Sequence, residues 1–155
     1  MPMRWTLSGP GSAVWTWEVA GERIAVHASY LTDGLASLLR SAGDLSGGSR
    51  STFALFAQEP GGNRVFFSGA AEEVFVQVVA FPDVYSTAAR WAGGRQTWAG
   101  RVSTAGFLTD VRAMAEDLLA RHGDQGYRET WGHPFPHDEL RRIAPPGGPG
   151  ASLRE

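Results

Sequence analysis

Between Ser103 and His122 the apolar residues of the chain recur at helical spacing. Phe107, Val111, Met114, Ala115, Leu118 and His122 stand at i, i+4, i+7, i+8, i+11 and i+15, and Leu108 and Leu119 widen the stripe. A helix of 3.6 residues per turn gathers those positions on one side. At 1.5 Å per residue it would run about 28 Å, close to the width of a small domain. Ser103 or Thr104 is placed to cap its start. Gly123, after Arg121 and His122, is a natural residue to end it. Arg112 with Glu116 and Asp117 with Arg121 form i,i+4 pairs on its polar side.

Almost everything before this helix alternates with the period of a strand. Trp15, Trp17 and Val19 share one face of Ala13–Val19, and Ile24, Val26, Ala28 and Tyr30 share one face of Glu22–Tyr30. Ala20-Gly21 between them suits a tight hairpin. Arg4–Ser8, Ser51–Gln58, Arg64–Ser68, Glu73–Phe81 and Arg95–Val102 read as further strands. Val74–Phe81 is apolar on both faces, the pattern of a central strand. Asp33 is placed to cap a short helix carrying Leu35, Leu38 and Leu39, which Gly43 would end. Val84–Gly94 fits either a helical turn or a loop. Pro134 and Pro136 argue for an extended segment from Tyr127 to Asp138. The expected fold is α+β: a curved antiparallel sheet of six or seven strands packed on one long C-terminal helix, with a short helix between the strand groups. One domain is expected over residues 1–144, with a disordered Pro/Gly-rich tail over 145–155.

Composition narrows the function classes. The net charge of −2 argues against broad nucleic-acid or anionic-membrane binding. No run of about 18 apolar residues is present to cross a membrane. The first residues, MPMRWTLSGPGS, lack the apolar core of a secretory signal, so a cytoplasmic location is expected. Zero cysteines exclude disulfides and thiolate chemistry. All fourteen basic residues are Arg, as codon usage in a GC-rich genome would produce.

Four constellations could carry chemistry. His133 and His137, with Asp138, are metal-ligand types, but an extended segment at about 3.1 Å per residue spreads residues four apart, so no metal is expected. Glu18, His27 and Glu73 are isolated acid–base residues, and no linear catalytic motif is present, which favours a binding role over an enzyme; no cofactor is expected. Gly61-Gly62-Asn63 and Gly93-Gly94-Arg95 lack the spacing of a phosphate loop. The fourth set holds Trp91, Trp98, Tyr127, Arg128, Trp131 and Phe135, with Arg90, Arg95 and Arg101, and His133 and His137 stand beside it. Trp and Arg are enriched at binding hot spots. The plainer reading, that these aromatics plug the end of the core, carries more weight.

The C-terminal half runs Trp98-Ala-Gly-Arg-Val-Ser103, the Phe107 helix, Arg121-His-Gly, Gly126-Tyr127-Arg128, Trp131-Gly-His-Pro-Phe-Pro136 and Leu140. It resembles a family of small uncharacterised proteins from actinobacteria and other GC-rich bacteria. The resemblance implies an immunity-like or accessory protein more than an enzyme, and brings no catalytic residues. The expected function is therefore non-enzymatic binding of a protein partner, or a homodimer contact, through a sheet edge or the Trp/Arg region. The alternative is a small-molecule-binding or cyclase-like protein of the helix-grip kind, with a cavity between sheet and helix. A filled interior with an exposed apolar patch favours the first, and a cavity of several hundred Å³ the second.

Overall fold

In the hairpin of Ser12–Val19 and Glu22–Ser29, Val19 pairs with Glu22, leaving Ala20 and Gly21 as a two-residue turn. Both have positive φ, 53° and 78°, which matches the turn to the twist of its strands. The computed structural model describes residues 1–145. Their elements run β1 (Met3–Gly9), β2 (Ser12–Val19), β3 (Glu22–Ser29), α1 (Gly34–Ser46), β4 (Thr52–Ala57), β5 (Gly62–Ser68), β6 (Glu73–Phe81), β7 (Arg95–Ser103), α2 (Thr104–Trp131) and α3 (His137–Arg141). The architecture is α+β, and both sheets are antiparallel.

The seven strands are divided between two sheets, ordered β1-β2-β3 and β4-β5-β6-β7. Where β3 nears β4, the Ser29 hydroxyl donates to the Ala57 carbonyl at 3.0 Å. The inner face of the first sheet carries Trp15 opposite Val26 and Trp17 opposite Ile24. The inner face of the second carries Ala54, Phe56, Val65, Phe67, Val74, Val76 and Val78, all buried. α2 closes this space with Phe107, Val111, Met114, Ala115 and Leu118, so the expected helix face is the buried one. Trp17 joins the layers, with ring centroids 5.8 Å from Trp98 of the second sheet and 5.6 Å from Phe107 of α2. β6 is a central strand, between β5 and β7.

Three expectations about the helices change. Gly43 does not end α1, which continues to Ser46. A Cβ at Gly43 would stand 3.1 Å from the Cβ of Arg142, so this glycine lets the C-terminal segment lie against the helix. α2 does break at Gly123 (φ 68°, ψ 168°), but the chain resumes helix to Trp131. Tyr127–Trp131 is therefore helical, and the extended stretch begins only at Gly132, whose φ of 104° stops the second segment. Proline forbids helix only near its own position, and Pro134 lies beyond that stop. Residues 82–94 form a loop with turns.

After Gly132 the chain straps back over α1 and α2. Ile143 is fully buried, and its carbonyl accepts from Arg112 Nη1 at 2.6 Å. Arg112 also keeps its expected pair with Glu116, at 3.6 Å. Arg121 pairs with Asp117 at 2.8 Å. Of the expected C-terminal tail only Pro145, which is exposed, falls within the described residues.

Candidate functional site

The residues singled out from the sequence divide among three places. Tyr127 and Trp131 are fully buried. The Trp131 ring stands edge-on to Trp5 at 5.7 Å, and its indole N–H donates to Asp33 Oδ1 at 3.2 Å. The same Asp33 oxygen caps α1 by accepting from the Ala36 N–H. Tyr127 packs edge-on against Phe135 at 5.4 Å. Burial, with the Asp33 charge adding to it, pushes its phenol pKa far above the ordinary range. Trp98 points inward from β7 against Trp17. These three aromatics belong to the core, as the plainer reading of the set anticipates.

A second group lies near the break in α2. Asp124, Gln125, Arg128, Pro134, Phe135 and His137 line an open cleft of about 370 Å³. His137 Nε2 meets Asp124 Oδ1, while His133 Nε2 meets the Tyr30 carbonyl at 2.6 Å. Each imidazole thus has its own partner, and the pair fastens the strap at two points. Among the described residues no group of three or more His, Cys, Asp or Glu side chains could hold a metal.

Trp91 and Arg101 belong to the third place, the outer face of the four-stranded sheet. Strand alternation and register put Phe53, Leu55, Arg64, Phe66, Phe75, Val79 and Phe81 on this side, opposite the core residues of the same strands. The 82–94 loop crosses it. Trp91 lies at 5.6 Å from Phe53, 6.5 Å from Phe66 and 6.3 Å from Phe81, yet 53% of its surface stays exposed. Tyr85 of the same loop is also exposed, and its hydroxyl donates to the Gln58 carbonyl. Val84 turns inward to form a small second core with Ala57 and Phe81.

Arg64 sits beneath Trp91. Its guanidinium carbon is 3.8 Å from the Trp91 ring centroid and 4.6 Å from that of Phe81, and the residue is only 3% exposed. Nη1 donates to the Arg90 carbonyl at 2.6 Å, tying β5 to the loop. Its Nε is buried without a hydrogen-bond partner, and no carboxylate pairs with it among the described residues. Burial, followed by the nearby Arg90 charge, lowers its pKa. Two aromatic faces replace part of the lost hydration through cation–π attraction. On β7, Arg101 lies 5.9 Å over the Phe75 ring.

The structure thus brings Trp91 and Arg101 to one sheet face and sends Trp98, Tyr127 and Trp131 inward. Sequence reasoning missed Arg64, Phe53, Phe66 and Phe81. Their signal was period-two parity: Arg64 and Phe66 alternate with the core residues Val65 and Phe67. No family model matches the chain, and no curated protein or solved structure does so either.

Proposed function

We propose that the chain is a non-enzymatic cytoplasmic binding protein that acts on a protein partner, in the manner of an immunity or accessory protein. The docking surface is the outer face of the β4–β7 sheet. The carrying observation is Trp91, half-exposed yet held in place by Phe53, Phe66, Phe81 and Arg64. A rigid aromatic anchor that is ordered before binding loses little entropy on association, the property of hot-spot residues. The space that a helix-grip ligand binder keeps open is occupied here by Trp17, Phe67, Phe107 and Met114, each at most 2% exposed. That weighs for the protein partner over the small-molecule alternative.

The test is capture from the native host by the tagged chain, compared with Trp91→Ala and, as a control on another face, Arg128→Ala. A partner retained by the wild type and by Arg128→Ala should be lost about tenfold or more with Trp91→Ala. Retention that ignores Trp91 and depends on Arg128 would move the site to the Asp124–His137 cleft.

A further inference from the structure

Four arginines of the helices and the C-terminal strap are ion-paired: Arg112 with Glu116, Arg121 with Asp117, Arg141 with Asp138 and Arg142 with Asp44, while Arg40 of α1 and Arg128 of α2 have no ion pair among the described residues. On the outer face of the β4–β7 sheet Arg64, Arg90 and Arg101 have no ion-pair partner among the described residues. The nearby acids do not serve them. The Asp83 carboxylate accepts from the Tyr85 and Ser86 N–H groups at 2.8 and 3.0 Å and is committed to its own turn. Glu59 lies in the β4–β5 turn, and Glu73, the first residue of β6, pairs with Ser103 on the face of Arg101 without forming an ion pair. Arg64, Arg90 and Arg101 therefore stand on this face without an ion-pair partner among the described residues.

Resting on the reading that this face docks a protein, we propose that the docked segment is acidic: it presents carboxylates to Arg90 and Arg101 and an apolar side chain to Trp91 and Phe75. Charge complementarity is the reason. Docking would strip water from Arg90, beside the already buried Arg64, and from Arg101 on β7, and uncompensated cations in such a contact are costly. Carboxylates supply that compensation, and arginine binds them in a forked geometry. A nucleic acid is the less favoured anion, because the chain as a whole is negative and three arginines do not make a continuous basic track.

Random peptides displayed on phage, selected on the intact chain and then titrated by fluorescence polarisation, test this. The peptides that lose binding with Trp91→Ala should carry Asp or Glu next to an apolar residue. Arg90→Glu with Arg101→Glu should weaken them about tenfold or more, as should raising NaCl from about 0.05 to about 0.5 M. Selection on the charge-reversed chain should yield basic peptides. Neutral or basic Trp91-dependent peptides on the wild type would overturn the acidic partner while leaving the docking face intact. Peptides indifferent to Trp91 would overturn both. A dimer in light scattering that Arg101→Glu dissociates would make a second copy the occupant, and tighter Trp91-dependent binding of an oligothymidylate would make it a nucleic acid. Either result overturns the proposal.

Discussion

Tyr127 is the residue whose chemistry depends most on its surroundings. Its hydroxyl is buried without a hydrogen-bond partner among the described residues, and burial holds its pKa well above the ordinary phenol value. An unfolded chain ionises this phenol near pH 10. The folded chain keeps the proton to higher pH. The stability linked to this site is thus fully present below about pH 10 and falls above it, by about 1.4 kcal/mol per pH unit. Tyr127→Phe should flatten that decline in urea unfolding measured at about pH 8 and about pH 11. At neutral pH it should change stability by less than about 1 kcal/mol, since no protein hydrogen bond is lost. An unchanged alkaline decline would mean that the phenol reaches solvent. Tyr127 and Trp131 were legible in sequence as aromatics with a polar tip. That they plug the core is the plainer reading of the sequence; which groups hold them there was not legible, because Phe135, Trp5 and Asp33 stand up to 126 residues away in the chain.

At the scale of the element, the break in α2 has a defined cause. Gly123 combines φ 68° with ψ 168°, a region open essentially to glycine alone. No atom lies within 4 Å of a Cβ built there, so the penalty for adding one is confined to the backbone. Gly123→Ala should lower stability by about 1–3 kcal/mol. Gly126→Ala, three residues on in ordinary helix and with nothing closer than 4.0 Å, should instead raise it by about 0.5–1 kcal/mol. Urea midpoints of the two variants check the opposite signs, and equal effects would contradict the special conformation at Gly123. The stop at Gly123 could be read in advance from Arg121-His122-Gly123. The return to helix could not, since Asp124–Trp131 is only two turns long and displays Tyr127 and Trp131 as its sole apolar pair. The strand ladders were better specified. Alternation of Trp15 and Trp17 on β2 and of Ile24 and Val26 on β3 disfavours a one-residue slip, which would bury one pair and turn the other to solvent.

Across the whole molecule, two sheets without a common ladder share one core. Trp17 belongs to the first sheet and touches Trp98 of the second and Phe107 of α2. Trp17→Ala should cost about 3–5 kcal/mol. It should do so in one transition, with far-UV circular dichroism and tryptophan emission unfolding together. Two separated transitions would show sheets that fold independently and would remove Trp17 as their bridge. The outer sheet face also belongs to this scale. Its charge comes from three arginines on a strand, a loop and another strand, 37 positions apart from first to last. Arg101 is legible in the sequence as an arginine near tryptophans, and Arg64 is not, because nothing within β5 itself announces that Trp91 will close over it.

What the chain's own pattern determined was periodicity and punctuation. The 3.6-residue stripe of Phe107–Leu118, the two-residue alternation of β2 and β3, the two-sided apolar run of β6, the Asp33 and Ser103 caps and the glycine stop at Gly123 act within a few residues, so they can be read locally. Only the tertiary structure decided which aromatics became core and which became surface. Indoles at Trp91, Trp98 and Trp131 are chemically identical, and their fates follow from the neighbours that the two sheets and the strap bring against each ring. Burial depends on the closure of long loops around a shared interior, and that geometry is absent from any short window of sequence.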